Sequence, residues 1–262
     1  MKASSSTHTV PPFWKDKTVL ITGASSGIGE ALAFELARAG ARIGLLARRR
    51  ERLEELAGRI RSEDGWAVAL PGDVRERDDV RTAADRLTQA SGPVDVLVAN
   101  AGRAMRGRNE TNGEAVADLY ATNFLGAVYA FEAVLPGMLE RGAGHIAVVS
   151  SAMALLPRLA GSHTYASSKM ALGRYFEGLG RELRCEGIAV TVICPGFVRT
   201  EMTAGQRFMP FVVDADVAAR RIRRAVEQGR SRLAFPWPTI WLGRVAQFLP
   251  TQWQLRGRRR FV

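Results

Sequence analysis

From Lys17 onward, short β-branched apolar runs alternate with longer segments whose apolar positions recur at helical spacing. The strand-like runs cover 18–22, 41–47, 67–70, 94–99, 145–150, 189–194 and 232–235, and the helical patterns cover 31–39, 51–61, 80–90, 115–139 and 169–186. Alternation of this kind predicts βαβ units and a parallel sheet with helices on both faces. The strand runs are almost continuously apolar, as a sheet buried on both sides requires. No internal repeat and no interdomain linker interrupts the pattern. The expected fold is therefore α/β: a single doubly wound domain around a seven-stranded, mainly parallel sheet. Its expected bounds are 16–236, after a polar, Ser/Thr-rich and disordered lead-in at 1–15 and before a helical extension and basic tail at 237–262.

Composition adds exclusions. No run of 18 apolar residues occurs, so no transmembrane helix is expected, and the lead-in lacks the apolar stretch of a secretory signal. Cys185 and Cys194 have neither metal-ligand spacing nor a disulfide framework, which suits a reducing, cytoplasmic compartment. With three histidines and no Cys/His/carboxylate cluster, no metal site is expected. The net charge of +11 comes from 33 arginines beside only four lysines. Such a surface attracts phosphate-bearing ligands, anionic lipid or nucleic acid without choosing among them, and a solvated arginine-rich surface needs no ligand at all. No recognition module presents the charge to nucleic acid, so none is expected as a partner.

In a doubly wound sheet, ligands bind beyond the carboxyl ends of the strands, and the chemistry-bearing residues follow those ends. After the first strand stands Thr22-Gly23-Ala24-Ser25-Ser26-Gly27-Ile28-Gly29, and a helix opens at once. Gly23 permits a tight turn, Gly27 lets the backbone approach a pyrophosphate, and Gly29 allows close helix–strand packing. The helix N-terminus offers N–H groups to phosphates. The required strand and helix flank the glycines, which strengthens a dinucleotide reading. At the end of the second strand, an NAD site usually places a carboxylate for the ribose 2′-hydroxyl. Here Ala47 is followed by Arg48, Arg49 and Arg50. Arg48, at the strand terminus, can pair with a 2′-phosphate through two hydrogen bonds, so NADP(H) is expected over NAD(H); Arg49 and Arg50 read as the solvated start of the next helix. Asp73 and Val74 follow the third strand, where a carboxylate can accept from an adenine amino group. Asn100, Ala101 and Gly102 follow the fourth, small enough for a flat ring to approach the backbone.

After the fifth strand come Ser150 and Ser151, and Tyr165-Ala166-Ser167-Ser168-Lys169 then opens a helix. Tyrosine and lysine at i and i+4 share a helix face. A phenol titrates near 10, and a neighbouring ammonium and a nicotinamide cation would pull it down, so that Tyr165 could exchange a proton with a carbonyl or alcohol oxygen while hydride moves at carbon.

In this order the motifs resemble those of the short-chain dehydrogenase/reductase family, in its compact single-domain branch with a Rossmann-type fold. The match runs from about Lys17 to Thr200 and more loosely to about Phe235. The resemblance implies that Tyr165 is the general acid/base and that Lys169 holds the nicotinamide ribose and lowers the tyrosine pKa. It implies that Asn123 holds a water in a proton relay, and that Pro195, Gly196, Val198 and Thr200 flank the nicotinamide carboxamide. A serine would orient the substrate oxygen. The family serine stands thirteen residues before the tyrosine, which here is Ala152; Ser151 is the expected catalytic serine, with Ser150 as the alternative. The family's Asn-Asn-Ala-Gly is Ala99-Asn100-Ala101-Gly102 in this chain.

The resemblance also implies a mobile lid over the substrate at about 200–213. Its Phe208, Met209 and Phe211 would suit an apolar substrate or simply pack the lid on the domain. Past Phe235, aromatics and arginines fit either a helix closing the pocket or a subunit interface, or peripheral contact with a membrane. Arg220, Arg223 and Arg224 read as a solvated helix face. The expected activity is NADP(H)-dependent hydride transfer on the carbonyl or secondary alcohol of an apolar small molecule, by a carbonyl reductase or the reverse alcohol dehydrogenase, in a homodimer or homotetramer. The alternatives are a 3-oxoacyl-thioester reductase and a non-catalytic NADP(H)-sensing protein.

Overall fold

The structure, a computed structural model, describes residues 13–105, 111–155, 163–206, 209–238 and 241. In chain order its strands are β1 (Thr18–Thr22), β2 (Arg42–Ala47), β3 (Trp66–Pro71), β4 (Val96–Ala99), β5 (Gly144–Val149), β6 (Ile188–Pro195), β7 (Val198–Arg199), β8 (Val213–Asp214) and β9 (Arg232–Phe235). The helices are α1 (Gly27–Arg38), α2 (Arg50–Ser62), α3 (Arg77–Ser91), α4 (Gly113–Tyr120), α5 (Gly126–Arg141), α6 (His163–Glu182) and α7 (Ala215–Glu227). Seven strands form one parallel sheet in the order β3-β2-β1-β4-β5-β6-β9, and β7 and β8 pair separately. The order reverses between β1 and β4, which opens a crevice beyond their carboxyl ends.

Both faces of the sheet are covered, as the unbroken apolar strands require. One face packs Leu32 and Leu36 of α1, Leu53 and Ile60 of α2, and Ile222 and Val226 of α7. The other packs Val80 and Leu87 of α3, Phe131 and Met138 of α5, and Leu172 and Phe176 of α6. Packing on the first face reaches back into the expected lead-in: Trp14 is buried and its indole donates to Glu227 Oε1 of α7 at 2.7 Å.

The segment read as helical over 115–139 is helical throughout, with a π-helical stretch at Ala121–Leu125 joining α4 to α5. One expectation is corrected. Arg223 is not on a solvated face: it lies between α1 and α7, its guanidinium 2.8 Å from Glu35 and 3.0 Å from Glu227. Arg220 and Arg224 are exposed as expected. Among the described residues no helix is long and apolar enough to cross a membrane, and no cluster could hold a metal ion.

Candidate active site

The glycine turn is packed too tightly against its own chain to carry side chains at two positions. Gly23 has φ of +66°, and a Cβ there would stand 2.7 Å from the Ala101 Cα. A Cβ on Gly29 would stand 2.3 Å from the Gly23 carbonyl oxygen. Neither space can hold a side chain. Asn100 braces the turn, its amide donating to the carbonyls of Thr22 (3.0 Å) and Gly23 (3.1 Å). The Thr22 hydroxyl accepts from the backbone N–H groups of Asn100 and Ala101, so the ends of β1 and β4 are locked together. Ser26 is the N-cap of α1, and its side chain makes no capping bond.

At the end of β2, Arg48 is 70% exposed and only 3.9 Å from Asp73 Oδ2, a loose pair. Arg49, expected to face solvent, instead turns into the cleft. It donates to the Ser25 hydroxyl (3.1 Å), the Ser25 carbonyl (3.2 Å) and Glu201 Oε2 (2.9 Å). Arg50 is paired with Glu54 along α2, as a solvated helix start would be. Burial works to raise the Asp73 carboxyl, but hydrogen bonds from the Arg75 side chain and backbone, with the charges of Arg75 and Arg48, outweigh it and hold Asp73 below the usual carboxylate range. Arg75 also reaches Asp118 of α4, and Asp118 accepts from Arg103 beyond β4.

The two serines after β5 face different ways. Ser150 Oγ donates to the Lys169 carbonyl at 2.7 Å and is buried, a bond within the scaffold. Ser151 Oγ is a hydrogen-bonding neighbour of the Tyr165 phenol and accepts from the Met153 N–H at 3.1 Å. Lys169 is buried, and its Nζ donates to the Val149 carbonyl at 2.8 Å. Burial lowers its ammonium pKa to about 8. The tyrosine departs from expectation: burial raises the Tyr165 phenol above its ordinary value, with the Ser151 hydroxyl pulling the other way. A buried phenolate lacks water to stabilise it, and that cost dominates here.

Asn123 sits fully buried in the π-turn. Its Oδ1 accepts from the Arg103 N–H (2.8 Å), and its Nδ2 donates to the Arg103 carbonyl and to Ser168 Oγ (both 3.0 Å). It thus ties the strand end after β4 to the helix that carries Tyr165 and Lys169.

These parts meet in one cleft of about 330 Å³ at the carboxyl ends of the strands. Every sequence-predicted site residue lines it except Gly29 and Asn123, which lie behind its wall. Arg49, Arg103, Met202 and Thr203 line it too, and sequence reasoning had not assigned them a role. Arg49 stands at the N-cap of α2, where the side chain turns back to the strand end. Within the expected lid, Thr200 and Thr203 form a reciprocal cap on the short helix Glu201–Thr203, and Phe211 is 48% exposed, away from the cleft lining. Phe208 lies outside the described residues. Trp237 and Trp241 are exposed, and apart from these and Pro238 the C-terminal extension lies outside the described residues.

One cleft at the carboxyl ends of the strands thus brings together the glycine turn and the tyrosine–serine pair. Comparison with known proteins identifies the family. The short chain dehydrogenase family matches residues 17–209. An 11-beta-hydroxysteroid dehydrogenase-like protein of Arabidopsis thaliana is 35% identical over 89% of this chain and 78% of its own. A short chain dehydrogenase of Burkholderia cenocepacia, solved in complex with NADP, is 29% identical, with a TM-score of 0.76 over 85% of this chain and 97% of its own. A Burkholderia phymatum short chain dehydrogenase/reductase, solved in complex with NAD, shares the fold at 23% identity, with a TM-score of 0.82 over 89% of this chain and 94% of its own. The chain belongs to the short-chain dehydrogenase/reductase family and is an oxidoreductase of that family. Membership does not choose between the two dinucleotides.

Proposed function

We propose that this chain transfers hydride between NADP(H) and the carbonyl or secondary alcohol of an apolar substrate, with Tyr165 as general acid/base. The observation that carries the reading is the Tyr165 phenol beside the Ser151 hydroxyl, with Lys169 buried near it, at one end of a cleft whose other end is the glycine cradle. Two hydroxyls facing the same space can hold one substrate oxygen between them. In the reductive direction Ser151 donates a hydrogen bond to that oxygen, and Tyr165 Oη delivers the proton to it. The high phenol pKa keeps Tyr165 protonated for that step, and the Lys169 ammonium stabilises the phenolate left behind. A bound nicotinamide would supply the hydride, or take it in the reverse reaction. Asn123 acts as a positioning residue through its bonds to Arg103 and Ser168, with one lone pair of Oδ1 left for the relay water that the family resemblance implies.

At Gly23 and Gly29 a Cβ would strike the chain's own backbone, so both glycines are needed for the tight turn and close helix packing of a dinucleotide-binding loop. Preference for NADP(H) rests on Arg48 and Arg49 at the mouth and on Ala47 where a ribose-binding carboxylate would stand. Asp73, the acid beside Arg48, is already engaged by Arg75. For the substrate, Met202 gives the cleft an apolar border, and the hydroxysteroid dehydrogenase-like relative argues in the same direction.

The test is a panel of steroids, retinoids, 3-oxoacyl thioesters, sugars and quinones, followed by NADPH absorbance. A folded Tyr165→Phe variant should lose at least about a hundredfold in turnover on the best substrate. Substantial turnover by that variant removes the mechanism. Confinement of activity to the thioesters selects the narrower reductase reading. No oxidation across the panel, with NADPH still bound, selects a sensing role.

A further inference from the structure

The loop after β6 comes back over the glycine turn and places an anion there. A Cβ on Gly27 would stand 2.9 Å from the Thr200 methyl carbon, so this segment packs directly on the cradle. From the next position, Glu201 reaches across the cleft mouth to Arg49, with Oε2 accepting from Nη1 at 2.9 Å. The Ser26 hydroxyl is a further hydrogen-bonding neighbour of that carboxylate, and Arg52 adds positive charge from the first turn of α2. Arg49 holds Ser25 with its other nitrogens, so its guanidinium is shared between the glycine turn and Glu201. A carboxylate thus already occupies donors that a phosphate at this mouth would use.

We propose that Glu201 is a specificity-determining residue for the cofactor: its carboxylate competes with a ribose 2′-phosphate for Arg49 and so limits how far the chain favours the phosphorylated dinucleotide. The inference rests on reading the cleft as a dinucleotide site. Both partners of the pair are largely exposed, at 43% and 57%, so the pair itself contributes little to stability. Its leverage lies in the competition. A 2′-phosphate must displace the carboxylate from Arg49, whereas a 2′-hydroxyl does not compete for the guanidinium. Glu201 therefore weighs against one dinucleotide and is close to neutral for the other.

The experiment titrates NADP⁺ and NAD⁺ calorimetrically into the full chain, as wild type, Glu201→Gln, Arg49→Gln and the double variant, at low and high salt. Glu201→Gln should tighten NADP⁺ about fivefold and NAD⁺ less than about twofold. The gain should vanish in the Arg49→Gln background and shrink at high salt. An unchanged or reduced ratio of NAD⁺ to NADP⁺ dissociation constants in Glu201→Gln overturns the proposal, as does an equal gain without Arg49. The NADP(H) reading fails separately, on wild-type protein, if NAD⁺ binds as tightly as NADP⁺; the Glu201 proposal is then still decided by the change in the ratio. If wild type binds neither dinucleotide, both fall.

Discussion

On the proposed mechanism, Lys169 trades stability for chemistry. Its ammonium is buried against the Val149 carbonyl, and burial brings its pKa from 10.5 to about 8. Between those values the unfolded chain holds a proton that the folded chain has released, so this residue makes stability rise with pH across that window. Below about 8 the folded protein carries the buried charge at a cost of about 3 kcal/mol. Lys169→Met removes that cost and leaves one carbonyl without its donor, worth about 1 kcal/mol. The variant should therefore be about 2 kcal/mol more stable than wild type near pH 7, with the advantage fading toward pH 10, while turnover collapses. Urea denaturation of both proteins at the two pH values measures it. A variant that is less stable at both would mean that the ammonium is stabilised in the fold.

At the scale of elements, the π-turn at Ala121–Leu125 matters most, because it places Asn123. Asn123→Ala would strip partners from the Arg103 N–H, the Arg103 carbonyl and Ser168 Oγ together. A loss of about 2–3 kcal/mol is expected in denaturant unfolding, with kcat falling more than KM changes. A loss below about 0.5 kcal/mol would show that water replaces all three bonds. The strands and the glycine turn were legible in the sequence because a doubly covered parallel sheet writes continuous apolar runs, with the ligand residues just past their ends. The π-turn was not. Polar Asn123 is buried there while Leu125 is exposed, which inverts the amphipathic signal that periodicity depends on. Arg48, Arg49 and Arg50 carry the same charge, and only the geometry of the α2 N-cap sends Arg49 to Ser25 and Glu201. Ser150 and Ser151 look equivalent as text, yet successive residues at a strand end point to opposite sides. That alternation sends the first to the Lys169 carbonyl and the second to the tyrosine.

Across the whole molecule the sheet separates two jobs. The carboxyl ends of its strands line the cleft, while the opposite end holds buried polar contacts away from that cleft. His145, near the start of β5, is the clearest of these. Its Nε2 lies 2.8 Å from Thr191 Oγ1, and that hydroxyl donates to the Arg230 carbonyl at 2.6 Å. With the hydroxyl proton committed, the ring must donate from Nε2, which leaves Nδ1 as the site a second proton would take. Burial lowers the histidine pKa from 6.5 to about 4. The unfolded chain therefore binds a proton that the fold refuses between those values, and stability is lost as pH falls through the window, by about 3 kcal/mol in full. His145→Gln keeps a donor for Thr191 but cannot charge. Whatever its stability near pH 7, that variant should lose less than wild type on going to pH 4. It should also keep wild-type turnover near neutral pH, since His145 does not line the cleft proposed for catalysis. Parallel acid melts of the two proteins, each referenced to its own value at pH 7, decide the matter: superimposable curves would place the acid sensitivity in other groups, while a flatter curve for the variant assigns it to the end of the sheet farthest from the chemistry.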